Sequence, residues 1–147
     1  MKVNKLGHIV LRVRDAEKSA AWYVKILGLK ETYRMSNMVF LTSSDESSHE
    51  IALMSLGEDA DGPDHRKVGM YHIGWQLGSL DELKGLRNKL EEQGVEVVGV
   101  GDHGISLGIY VLDLDGNELE FFYELPKTEW PRDGNLFSGR FPLNVDI

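Results

Sequence analysis

The sequence predicts an α+β fold made of two β-α-β-β-β modules, and three observations carry that prediction. A short motif occurs twice, as GHIVLRVRD at residues 7–15 and YHIGWQLGS at 71–79, so a repeat of about 64 residues runs through the chain. Each copy opens an alternating strand, and each strand is followed by a helically periodic stretch that ends near a glycine, Gly28 or Gly94. Three further strand-like segments then follow in each half. A helix that joins strands and covers one face of their sheet gives an α+β layer, and two such halves would form a curved sheet with a concave face.

The elements follow in order. HIVLRV (8–13) alternates with period two. Asp15 is a suitable N-cap for AEKSAAWYVKIL, whose Ala16, Ala20, Trp22, Tyr23, Ile26 and Leu27 recur at helical spacing, and Gly28 stops the helix. LKETYRM, MVFLTS and HEIALMSL read as strands. In the second half YHIGWQL is a strand, LDELKGLRNKLEEQ a helix, and VEVVGV, ISLGIYVLD and ELEFFYE are strands. We expect one domain, with module 1 at about 5–57, a polar link at 58–67, module 2 at about 68–125 and an extension at 126–147. The extension holds three of the four prolines, and its Trp130, Phe137 and Phe141 are expected to pack on the body.

Length and 41% apolar content allow a real core. The net charge of −8, from 16 basic and 24 acidic residues, argues against a nucleic-acid partner. No apolar run is long enough to span a bilayer, and Arg12, Arg14 and Asp15 interrupt the first strand, so a signal core is not expected and a cytoplasmic location is. With no cysteine, any metal ligands must be His, Asp or Glu.

Strand parity then selects residues. His8, Val10 and Arg12 share the face opposite Ile9, Leu11 and Val13, and the apolar set should meet the helix. By the same parity His72 opposes Ile73, Trp75 and Leu77, and Glu120 opposes Leu119 and Phe121. His8, His72 and Glu120 are therefore expected on the concave face as metal ligands. Two imidazoles and a carboxylate with open positions suit non-haem Fe(II), and also Zn, Mn, Ni or Co. His65 in PDHRK reads as a solvated link residue, and Pro63 defeats the resemblance of DADG to a calcium loop.

GHIVLRVRDAEKSAAWYVKILGL and LDLDGNELEFF together resemble the opening and closing signatures of the vicinal oxygen chelate superfamily, over residues 5–125, with Leu114 where the family usually has Pro. That family includes glyoxalase I, fosfomycin- and bleomycin-resistance proteins, methylmalonyl-CoA epimerase and extradiol ring-cleaving dioxygenases. The resemblance implies a curved, partly open barrel with a concave metal site. HEIALM is similar to the extradiol segment carrying an acid–base His, implying that role for His49. DHGIS and the strand before the closing signature similarly imply substrate-contacting roles for His103 and Tyr110. Glyoxalases and the epimerase add a fourth ligand from the first module, whose counterpart by the repeat lies near Ala52, while Glu50 stands two residues earlier.

An Fe(II) extradiol dioxygenase acting on a catechol-type diol with O2 is thus the implied activity. A glyoxalase-like lyase or isomerase using Zn, Ni or Mn and a non-catalytic antibiotic-binding protein are the alternatives. Familiar extradiol members carry four modules with the metal in the C-terminal pair, whereas this chain has one pair. That admits a short stand-alone enzyme or an assembly whose subunit interface replaces the missing domain; a homo-oligomer is the expectation.

Overall fold

The computed structural model describes residues 1–143 and 147, in the element order expected. Two compact units divide at residues 63 and 64, and each contains one four-stranded sheet and one helix. In the first unit, β1 (Ile9–Val13), α1 (Ala16–Leu27), β2 (Lys30–Arg34), β3 (Met38–Thr42) and β4 (Ile51–Ser55) build a sheet of order β1-β4-β3-β2. In the second, β5 (His72–Leu77), α2 (Leu80–Glu92), β6 (Val97–Asp102), β7 (Ser106–Leu112) and β8 (Glu118–Glu124) give the order β5-β8-β7-β6. The α+β class and both β-α-β-β-β modules are present, and no strand pairing joins the two sheets among the described residues.

In each unit the first and last strands pair in parallel and the others antiparallel, so the helix is the crossover that makes the parallel pair possible. α1 starts at Asp15, whose carboxylate accepts the Glu17 and Lys18 amides at 2.9 and 3.1 Å. It stops at Gly28, where φ is 72°, a left-handed value that glycine adopts without strain. Ala16, Ser19, Ala20, Tyr23 and Ile26 form its buried stripe, and the helix lies on β3 and β4. α2 is capped by Ser79, which accepts the Glu82 amide at 3.2 Å, while Glu82 reaches back to the Gly78 amide at 2.7 Å. Its buried contacts are Leu83 and Leu90.

Parity holds on both leading strands. Leu11 and Val13 are buried while Val10 and Arg12 are exposed, and Trp75 is half-buried between exposed Gly74 and Gln76. Both sheets carry a bulge near the start of their edge strand, at Glu31/Tyr33 and at Val97/Gly99. β6 begins two residues later than the sequence suggests because the Val95 amide still bonds the Leu90 carbonyl, closing the helix end. β2 is exposed along its whole length, and its Lys, Glu and Arg side chains disfavour pairing of that edge with another chain.

The extension has one short 3-10 turn, Lys127–Glu129, and packs on its own unit. The half-buried Trp130 donates its indole N–H to the Leu125 carbonyl at 2.9 Å. Phe141 is buried and edge-on to Tyr123, with ring centroids 6.4 Å apart. Phe137 corrects the sequence expectation, since it is 71% exposed. Here the backbone of the extension meets the body: a Cβ placed on Gly104, at φ +80°, would lie 3.0 Å from the Leu136 carbonyl and 3.2 Å from that of Gly139. The last part of the expected extension, residues 144–146, lies outside the described residues. No helix among the described residues is long and apolar enough to cross a membrane.

Candidate functional site

The second unit assembles four of the six residues singled out by the sequence. Glu120 sits mid-way along β8, a central strand, with Gly74 of β5 opposite on one side and Tyr110 of β7 on the other. Its Oε2 lies 3.2 Å from His72 Nε2, and its Oε1 accepts the Tyr110 hydroxyl at 2.9 Å. His103 Nε2 lies 2.7 Å from the Tyr110 hydroxyl and 3.5 Å from Glu120 Oε1. His72, Glu120, Tyr110 and His103 are thus one connected layer of polar side chains.

Physical chemistry fixes the proton order in that layer. A buried carboxylate is tolerated when donors surround it, and Glu120 is 9% exposed. Tyr110 has one hydroxyl proton, so with Glu120 ionised that proton goes to Glu120 and His103 donates Nε2–H to the Tyr110 oxygen. Burial, followed by the Glu120 hydrogen bond, pushes the Tyr110 hydroxyl well above the ordinary tyrosine range. It therefore remains a donor through the physiological pH range.

Glycines on neighbouring strands let these side chains lie flat, and sequence reasoning missed them. A Cβ on Gly108 would sit 2.7 Å from Glu120 Oε1, and one on Gly101 would sit 2.8 Å from His103 Nε2 and 3.0 Å from the Tyr110 hydroxyl. One on Gly74 would sit 3.1 Å from the Phe122 ring and 3.7 Å from Glu120 Oε2. The available signal was glycine inside strands, in VVGVGD and SLGIYVL, which marks close approach of something to the backbone.

The first unit holds the other two residues. The exposed His8 stands one residue before β1, and its ring centroid is 4.4 Å from that of His49. His49 meets the edge of Phe40 at 5.2 Å, and its Nδ1 is 3.0 Å from the Ser48 hydroxyl. Ala52 pairs with Val10 as Glu120 pairs with Gly74, so the position matching Glu120 carries no ligating atom. Glu50 is engaged elsewhere, accepting from Thr42 Oγ1 at 2.9 Å and the Ser43 amide at 2.7 Å, and these bonds hold its carboxyl below the usual range against the opposing effect of burial. His65 is exposed in the segment between the units.

The donors of the second unit fit a divalent ion in one respect. Two ligands at about 2.1 Å from one ion stand about 3.0–3.4 Å apart for octahedral to tetrahedral angles, and the His72–Glu120 separation is 3.2 Å. Among the described residues, no group of three or more His, Asp or Glu side chains is arranged to hold a metal ion. The layer is a platform with two donors at that spacing.

Comparison with known proteins gives this platform a family. The sequence model of the Glyoxalase/Bleomycin resistance protein/Dioxygenase superfamily matches residues 5–121. Catechol-2,3-dioxygenase of Bacillus subtilis (strain 168) is 28% identical over 131 residues, which cover 87% of this chain and 44% of the relative. Biphenyl-2,3-diol 1,2-dioxygenase 3 of Rhodococcus globerulus is 31% identical over 119 residues, or 79% of this chain and 61% of that one. The chain thus spans about half the length of these two relatives. A trivalent organoarsenical cleaving enzyme of Bacillus sp. (strain MD1) is 29% identical, with 85% of this chain and 76% of the relative covered. Among solved structures, a glyoxylase/bleomycin resistance protein/dioxygenase domain from Frankia sp. EAN1pec superposes with TM-score 0.71 at 23% identity, covering 84% of this chain and 99% of that chain, a likeness of fold alone. The match over residues 5–121 spans both modules, and the chain belongs to the Glyoxalase/Bleomycin resistance protein/Dioxygenase superfamily.

Proposed function

We propose that the chain is a metal-dependent extradiol-type dioxygenase that opens a catechol-type ring with O2. Its ion would be Fe(II), with Mn, Zn or Ni as alternatives, and its proposed ligands are His8, His72 and Glu120. The observation that carries this reading is the connected His72–Glu120–Tyr110–His103 layer, in which a ligand pair and two proton-bearing groups share one sheet face. When bound, the ion supplies a Lewis-acid centre at which diol and O2 are brought together.

The side chains do the rest. Tyr110 donates to Glu120 Oε1 and so fixes which carboxylate oxygen faces His72. His103 anchors the far side of that hydroxyl and presents an imidazole that is 42% exposed to whatever enters. His49, with Nδ1 tied to the Ser48 hydroxyl, has Nε2 for taking a proton from the diol and returning it during ring opening. Ala52 at the position matching Glu120 favours a three-ligand set over the four-ligand set of a glyoxalase-like lyase. The organoarsenical relative suggests As(III) compounds as a second substrate class, but a chain without cysteine offers no soft thiolate for arsenic. The proposed setting is cytoplasmic and the proposed assembly a homo-oligomer, with a small aromatic diol and O2 as its partners.

The test is ring cleavage itself. Protein purified without oxygen and loaded with Fe(II) should turn at least one member of a catechol panel yellow on exposure to air, and Glu120→Ala should abolish this. Bound iron, confirmed by metal analysis, with no ring-cleaved product across the panel would overturn the proposal.

A further inference from the structure

Glu118 is a polar residue that the layer above does not use. It pairs with His72 across β5 and β8, two residues before Glu120 on the same face of the strand. Its side chain is 15% exposed, and its Oε1 lies 3.6 Å from His72 Nδ1. That nitrogen is buried and has no hydrogen-bond partner among the described residues. An N–H···O bond runs at about 2.7–3.2 Å, so a side-chain adjustment of about 0.5 Å in Glu118 would close it. A buried ring nitrogen without a partner is unfavourable, and the carboxylate beside it can accept its proton.

Resting on the metal reading proposed above, we infer that Glu118 is the positioning residue for His72: it accepts the Nδ1 proton and thereby turns Nε2 toward Glu120 and the ion. Metal-ligating imidazoles need such an acceptor, because the proton on one nitrogen leaves the lone pair of the other for the metal. The first unit shows what the absence of this arrangement looks like. There the Ile9 amide bonds the Glu50 carbonyl at 3.0 Å, so Glu50 stands beside His8 as Glu118 stands beside His72, yet its carboxylate is held by Thr42 and Ser43. His8 is ring-packed against His49 instead. The two imidazoles are therefore oriented by different means, a carboxylate for His72 and an aromatic neighbour for His8.

The experiment uses Zn(II), which is diamagnetic, as the probe on the full chain. Calorimetric titration should show Zn(II) affinity falling about 10- to 100-fold in Glu118→Leu, the loss usual for an outer hydrogen-bond partner. Glu118→Gln keeps an acceptor oxygen and should fall less, which keeps the inference testable should the Leu variant fold poorly. In the proton spectrum of Zn(II)-loaded wild type, a protected ring N–H assigned to His72 Nδ1 is expected, present in Glu118→Gln and lost to exchange in Glu118→Leu. Unchanged affinity and an unchanged ring N–H in folded Glu118→Leu would overturn the inference while leaving the metal site intact, provided His72→Ala loses Zn(II). If His72→Ala binds Zn(II) as well as wild type, the metal reading fails, and this inference with it.

Discussion

The two units thread their strands in the same order, yet they furnish matching positions with opposite chemistry. Opposite Val10 the first unit places Ala52, fully buried and paired on its other side with Phe40, whose ring meets the edge of His49. Opposite Gly74 the second places Glu120, bonded through Tyr110 to His103, over a bed of glycines. A duplicated frame therefore does not imply a duplicated site. One copy carries the carboxylate and the room for it, and the other carries the methyl of a buried alanine.

Exchanging the two positions should break the comparison most severely. Glu120→Ala removes the carboxylate at the centre of the layer, and metal affinity should fall by more than the roughly 100-fold that an outer partner contributes, as read by equilibrium dialysis. Ala52→Glu puts a carboxylate at a fully buried position. It should destabilise the fold by about 3–5 kcal/mol, seen as a lower denaturation midpoint, and should not improve metal binding.

Smaller changes sharpen the contrast. Gly108→Ala would bring a methyl to 2.7 Å from Glu120 Oε1. Overpacking of this kind costs about 1–3 kcal/mol, and metal affinity should fall along with thermal stability, because the displaced atom belongs to Glu120. Tyr110→Phe should lower stability at neutral pH by about 1 kcal/mol, the net value of a hydrogen bond. The raised ionisation of Tyr110 gives this loss a pH signature, since the unfolded chain ionises near pH 10 while the folded hydroxyl does not. Stabilisation by Tyr110 is complete below that pH and is lost as pH rises toward the folded value. Melting curves of wild type and variant should therefore converge above about pH 10. Phe137→Ala should change stability by no more than about 0.5 kcal/mol, against about 3–5 kcal/mol for the buried Phe141→Ala.

Periodicity made the frame legible. Alternation in HIVLRV and YHIGWQL, the cap at Asp15 and the glycine stop at Gly28 are local signals, and the elements they mark are present in the structure. The repeat also identified Ala52 as the counterpart of Glu120, because parallel pairing of first and last strands gives both modules the same register. The glycine bed was not legible in the same way. Gly74, Gly101 and Gly108 act on side chains from neighbouring strands, a relation that period-two parity within one strand does not carry. The tail shows the same limit. Phe137 and Phe141 look alike in sequence, and the difference between them depends on which segment of the extension presents backbone to Gly104.

Asp102 ties that extension to the site by a single carboxylate. It accepts the Gly104 amide at 2.9 Å, closing the turn that holds His103, and the Phe141 amide at 3.0 Å, nearly forty residues further along the chain. The turn and the tail consequently share one opening event. Their amides should exchange with solvent deuterium at a common rate, and clipping the tail should accelerate exchange in the turn while leaving the amides of β4 untouched.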